Sequence, residues 1–195
     1  MNRREALRRT AMLMGGALSA PAIIGVMNGC TAKPTIDWKP EFLTNDQGVI
    51  ISRLSDIIIP ATDTPGANDV GVPAFIDKML KDVYSKQEQE AFIIGLKEFE
   101  DRAKKDTGDS FAELSEEDQT SFVKTVHKEA LEKPVPGGGS SVPKPFILMV
   151  KELTLLGFFT SEAGATQVLQ YVAVPGAYKG CVPVSEAGNG RTWAT

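Results

Sequence analysis

The sequence predicts an all-α protein, a single compact domain of about five helices after an N-terminal signal segment. Three observations predict it. Apolar residues recur at helical spacing in several successive stretches, helix-start signals stand directly before them, and no alternating stretch is long enough for a strand. The chain has 195 residues, 42% of them hydrophobic and 24% charged. That suffices for one good core, is short for two, and excludes a collagen-like, disulfide-dense or broadly disordered chain.

The elements follow in order. Thr44-Asn45-Asp46-Gln47 fits a capping box, with Leu43 before it as a hydrophobic staple. Ile50, Leu54, Ile57 and Ile58 then form one apolar stripe, which Pro60 ends. A loop over Ala61 to Gly71 leads to Pro73, which opens a short helix carrying Phe75, Ile76, Met79 and Leu80. Ser85 caps the longest helix, whose stripe is Phe92, Leu96, Phe99 and Ala103 and which Gly108 breaks. Ser115-Glu116-Glu117-Asp118 starts another, striped by Phe122, Val126 and Ala130. After the loop Val135 to Ser141, residues Pro145 to Phe159 are apolar almost all round, interrupted by Lys151 and Glu152. This reads as a central buried helix rather than a membrane span.

The N-terminal segment predicts an address rather than a structure. Residues 1–29 read as a twin-arginine-type signal peptide with a lipobox, 30–40 as a tether and 41–195 as the helical domain. Four arginines (Arg3, Arg4, Arg8, Arg9) precede an apolar stretch broken by Gly15, Gly16, Pro21 and Gly25. This is the pattern of an export signal, and too interrupted for a spanning helix. Asn2-Arg3-Arg4-Glu5-Ala6-Leu7-Arg8 resembles the twin-arginine motif, with Arg3 and Arg4 as the pair and Ala6 where Phe is usual. Val26-Met27-Asn28-Gly29-Cys30 resembles a lipobox, which makes Cys30 the lipidated residue and the chain a membrane-anchored periplasmic lipoprotein. The other reading is a lone cysteine after an ordinary cleavage site. Removing the signal lowers Lys+Arg from 21 to 17 and Asp+Glu from 25 to 24, leaving a charge of −7. Such a domain has no electrostatic reason to bind nucleic acid or anionic lipid, so attachment must come from the lipid or a partner.

No catalytic kit is legible. The sequence has no G-x-G-x-x-G, no G-x-x-x-x-G-K-[ST] and no C-x-x-C, so neither nucleotide fingerprint nor the usual redox motif is present. Gly137 to Gly139 read as a surface loop, because no helix-opening Gly-Lys-Ser/Thr follows. The single histidine, His127, between Lys124 and Lys128-Glu129, reads as an exposed residue of a solvated helix face, since a triad or zinc site needs partners it lacks. The acids from Glu113 to Asp118 lack the EF-hand pattern. The catalytic, cofactor and metal sites are therefore expected to be none in this chain. If Cys30 is lipidated, Cys181 is the odd cysteine of an exported protein, either a buried thiol or an interchain partner. Its surroundings, Val174 to Pro183, are rich in Pro and Gly, and Pro175-Gly176 suits a type II turn.

Leu156-Gly157-Phe158-Phe159-Thr160-Ser161-Glu162-Ala163-Gly164-Ala165-Thr166, followed by Tyr171 to Pro183 with its Cys181, resembles the gluconate 2-dehydrogenase subunit 3 family. So does Ile57-Ile58-Ile59-Pro60-Ala61-Thr62-Asp63-Thr64-Pro65-Gly66-Ala67 with Val72-Pro73. The resemblance runs from about residue 45 to 185, and Trp193 also has a counterpart in members. It implies a non-catalytic small subunit of a membrane-associated dehydrogenase complex. The large partner is implied to be a glucose-methanol-choline-type flavoprotein that holds FAD and oxidises sugars, sugar acids or polyols. The small subunit is implied to carry the twin-arginine signal, so that the translocase exports the folded partner with it. A cytochrome c subunit is an optional third member. The resemblance transfers no catalytic residue to this sequence. Cys181, with its neighbours Tyr178 and Lys179, is expected at the partner interface or in an interchain disulfide. The alternative function is a stand-alone lipid-anchored binding module, for which the mature body has few aromatics for stacking and only Trp38 and Trp193 as tryptophans.

Overall fold

The computed structural model describes residues 35–132, 144–174, 176–177, 180–186 and 190–194. Five α-helices carry the fold: α1 (Asn45–Ile58), α2 (Val72–Asp82), α3 (Lys86–Thr107), α4 (Glu116–Glu132) and α5 (Phe146–Phe159). A 3₁₀ turn, Phe111–Glu113, stands between α3 and α4, and a π-helical turn, Gly164–Val168, follows α5. The all-α expectation of about five helices is met.

The helix starts lie where the sequence marks them. Thr44 and Gln47 form a reciprocal capping box at α1, and Ser85 and Glu88 form another at α3. Each satisfies two otherwise orphaned N–H groups. Gly108 ends α3 with φ +91°, a left-handed conformation that glycine adopts without a Cβ clash. Leu43 is buried in the core, but it is no staple: the fourth helical position is Gly48, and there is no side chain there to meet it. A Cβ at Gly48 would stand 2.9 Å from Ile36 Cδ1 and 3.4 Å from Trp38 Cζ2. Residues 35–40, read from sequence as part of a tether, thus include side chains laid over the first turns of α1.

Helix α5 is the hub, touching each of the other four helices. Its Phe146, Ile147, Val150, Leu153 and Phe158 are buried, which is why its sequence is apolar on most faces. Burial is not complete: Leu156 and Phe159, near its C-terminal end, are exposed. An aromatic chain ties α5 outward, from Phe92 to Phe146 (5.1 Å between ring centroids), Phe146 to Phe99 (5.6 Å) and Phe99 to Phe111 and Phe122 (5.0 and 5.2 Å). Most are edge-to-face contacts, each contributing about 0.5–1.5 kcal/mol beyond area burial.

Buried polar groups set the helix connections. Gln89 Nε2 donates to the carbonyls of Leu80 (2.6 Å), Tyr84 (3.2 Å) and Lys81 (3.3 Å), closing the end of α2. Gln119 Nε2 donates to Phe111 O at 2.9 Å, and Glu100 accepts from Ser110 Oγ at 2.7 Å and Phe111 N at 3.3 Å. These bonds hold the 3₁₀ turn so that Phe111 enters the core, where it is fully buried. Arg102 reaches from α3 to Glu129 on α4 through two bonds, of 2.6 and 2.8 Å.

Candidate functional site

Two regions of surface carry unpartnered chemistry. The first is the segment after the π-helical turn. Gln170 N donates to Thr192 O and Ala194 N donates to Gln170 O, both at 2.8 Å, which brings Gln170 beside Thr192–Ala194 at the far end of the loop segment. Within that loop Tyr171, Val174, Val184 and Trp193 are exposed, Val174 at 82% of its surface. These large apolar side chains share one segment of the chain and are left in water. Gly176 has φ +74°, as the third position of a type II turn requires.

Cys181 lies in this loop as a free, exposed thiol. Of the two readings left open by the sequence, the buried thiol is excluded. Tyr178 and Lys179, expected beside it, lie outside the described residues, as do Arg3, Arg4 and Cys30.

The loop departs from α5 through a tight corner. Ser161 Oγ donates to Phe158 O at 2.6 Å and accepts from Gly164 N at 3.1 Å. A Cβ at Gly164 would stand 2.0 Å from Phe158 O, so no other residue fits without moving the corner.

The second region is a groove of about 200 Å³ between α1, α4 and α5. Its floor is Ile57, Ile58, Val123 and Ile147, and its rim is Thr120, Lys124, His127 and Lys151. Here the structure corrects the sequence reading: His127 is not on a solvated face but half-buried, with Lys151 Nζ 3.1 Å from its Nε2. Lysine only donates, so this imidazole nitrogen accepts and the ring is neutral. Burial, and then the Lys151 charge, hold its pKa below the ordinary 6.5. The sequence signal that could have found the groove is the spacing Thr120, Val123, Lys124, His127, one helix face. What it could not supply is Lys151 from another helix.

Among the described residues, no three His, Cys, Asp or Glu side chains are grouped so as to hold a metal ion, and no helix is long and apolar enough to cross a membrane.

A family model described as gluconate 2-dehydrogenase subunit 3 matches residues 45–176. The chain belongs to the gluconate 2-dehydrogenase subunit 3 family. Membership makes it a subunit type of a dehydrogenase complex and implies companion subunits. The match begins at the first residue of α1 and covers all five helices of the gluconate 2-dehydrogenase subunit 3 fold. It ends at residue 176, short of the 185 expected, so Cys181 and Trp193 stand outside it. No curated protein and no solved structure matches the chain.

Proposed function

We propose that this chain is the non-catalytic small subunit of an exported, membrane-associated dehydrogenase. Its partner is a glucose-methanol-choline-type flavoprotein that carries FAD and oxidises a sugar, sugar acid or polyol. The small subunit stabilises that partner and escorts it, folded, through the twin-arginine translocase. Cys30 holds the complex at the membrane through its lipid, and a cytochrome c subunit is a further candidate member. The observation that carries the reading is the exposed apolar loop with its free Cys181, attached to a helical domain of a dehydrogenase-subunit family. A surface of this kind is suited to burial against another protein. Arg3 and Arg4 supply the address.

The test is a pull-down of the full chain from its native host in mild detergent, with mass spectrometry and a flavin spectrum of the eluate. A stoichiometric flavoprotein is expected. A lone, colourless lipoprotein would overturn the subunit reading and favour a stand-alone binding module.

A further inference from the structure

The groove between α1, α4 and α5 carries chemistry that the subunit reading does not use. Lys124 and Lys151 line it, and among the described ion pairs neither has a carboxylate partner. This is notable in a chain with 25 acidic and 21 basic residues. Lys151 spends one donor on His127 Nε2, which leaves two N–H groups for another acceptor. Apart from these cations, Thr120 and His127, the lining is hydrocarbon: Ile57, Ile58, Val123 and Ile147.

We propose that this groove is a binding site for a small organic carboxylate with an apolar body. The carboxylate takes N–H donors from Lys124 and Lys151, and the body lies on the isoleucine and valine floor. Charge complementarity selects the head, because among the lining side chains an anion meets two ammonium groups and no carboxylate. The floor selects the body. A polyhydroxylated acid would find the Thr120 hydroxyl as the only neutral O–H among the lining side chains, and its remaining hydroxyls would leave water without partners. An inorganic anion would leave the floor wet. The volume lies below the roughly 300–1,000 Å³ of sites for drug-sized ligands, which points to a short chain.

The probe is octanoate, and the reporter is built in, because His127 is the only histidine of the sequence. Its ring resonances are followed by NMR in the untagged full chain while octanoate, octanol, acetate and gluconate are titrated separately. Octanoate is expected to shift the His127 signals saturably, with a Kd of about a millimolar or tighter. Octanol, acetate and gluconate are expected to bind at least roughly tenfold more weakly. The exposed-end changes Lys124→Gln and Lys151→Gln together should weaken octanoate by roughly tenfold or more. Equal binding of octanol would remove the role of the lysines, and equal binding of acetate or gluconate that of the floor. No saturable shift by about 10 mM octanoate would remove the site. Should the double variant fail to fold, the comparison of octanoate with octanol on the unaltered chain still decides. No partner protein is needed, so the outcome is separate from that of the subunit reading.

Discussion

The carboxylate of Asp77, on α2, accepts the backbone N–H of Leu43 at 2.7 Å across 34 positions of sequence. The same carboxylate accepts from Glu41 N at 2.6 Å and from Phe42 N at 3.2 Å, and Asp77 is 1% exposed. A buried charge is tolerated when it is fully hydrogen-bonded, and three consecutive amides supply those bonds. The segment leading into α1 is thereby fixed to α2, with Lys81 and Glu41 paired at the rim of the same junction.

Asp77→Ala should therefore cost about 3 kcal/mol, because it leaves three N–H groups without their acceptor. For a domain of this size that is a fall in Tm of roughly 6–12 °C by calorimetry. A change of under about 1 kcal/mol would mean that water replaces the carboxylate at little cost.

Much of the fold was legible because helix starts and stripes are local signals. Thr44 with Gln47 and Ser85 with Glu88 are read directly, as is the stripe from Phe92 to Ala103. Phe111 was not, because it lies between a helix-ending glycine and the next cap. Only Glu100 and Gln119, from the flanking helices, turn it inward. The candidate sites divide in the same way. Exposed Cys181 follows from its Pro/Gly-rich surroundings, whereas His127 was misread as exposed because its neighbours in sequence are charged. Its neighbours in space are Lys151 and the isoleucines of two other helices.

Gly157, in the middle of the sequence stretch Leu156-Gly157-Phe158, is a point where α5 packs closely against α2. A Cβ there would stand 2.6 Å from Phe75 Cδ1. Alanine has the better helix propensity by about 1 kcal/mol. Even so, Gly157→Ala should destabilise, by about 1–3 kcal/mol, since the ring must move in a close-packed interface. Chemical denaturation with an unchanged m-value checks this. A stabilised variant would show that Phe75 has room to turn.

Thr154 is fully buried on α5, and its Oγ1 has no hydrogen-bond partner among the described residues. Valine has nearly the same shape without the hydroxyl. Thr154→Val should raise stability by about 1 kcal/mol, or roughly 2–4 °C in Tm, since an unpaired polar atom is removed. A loss of stability would reveal a hydrogen bond to that hydroxyl.

Cys181→Ser tests the interface at a single atom. Because the thiol is free and exposed, the change should leave the isolated chain's Tm unaltered. It should weaken the proposed complex with the flavoprotein, seen as loss of a linked band on a non-reducing gel. An unchanged band pattern, or a complex of unaltered strength, removes the disulfide.

His127 makes stability depend on pH with a definite sign. Burial and Lys151 lower its pKa in the folded chain, below the ordinary 6.5. Below 6.5 the unfolded chain binds a proton at this ring that the folded chain refuses. This contribution to stability is therefore present above 6.5, and is lost as pH falls from there to the folded ring's own pKa. Lys124 is the other charged group lining the groove beside it, while α1 contributes Ile57 and Ile58. Lys151→Gln should raise the His127 pKa part of the way back, because the charge is gone and the burial remains. NMR titration of the single histidine measures both values. A folded pKa at or above 6.5, or one unmoved by Lys151→Gln, would show that the ring and the ammonium do not share the groove as described.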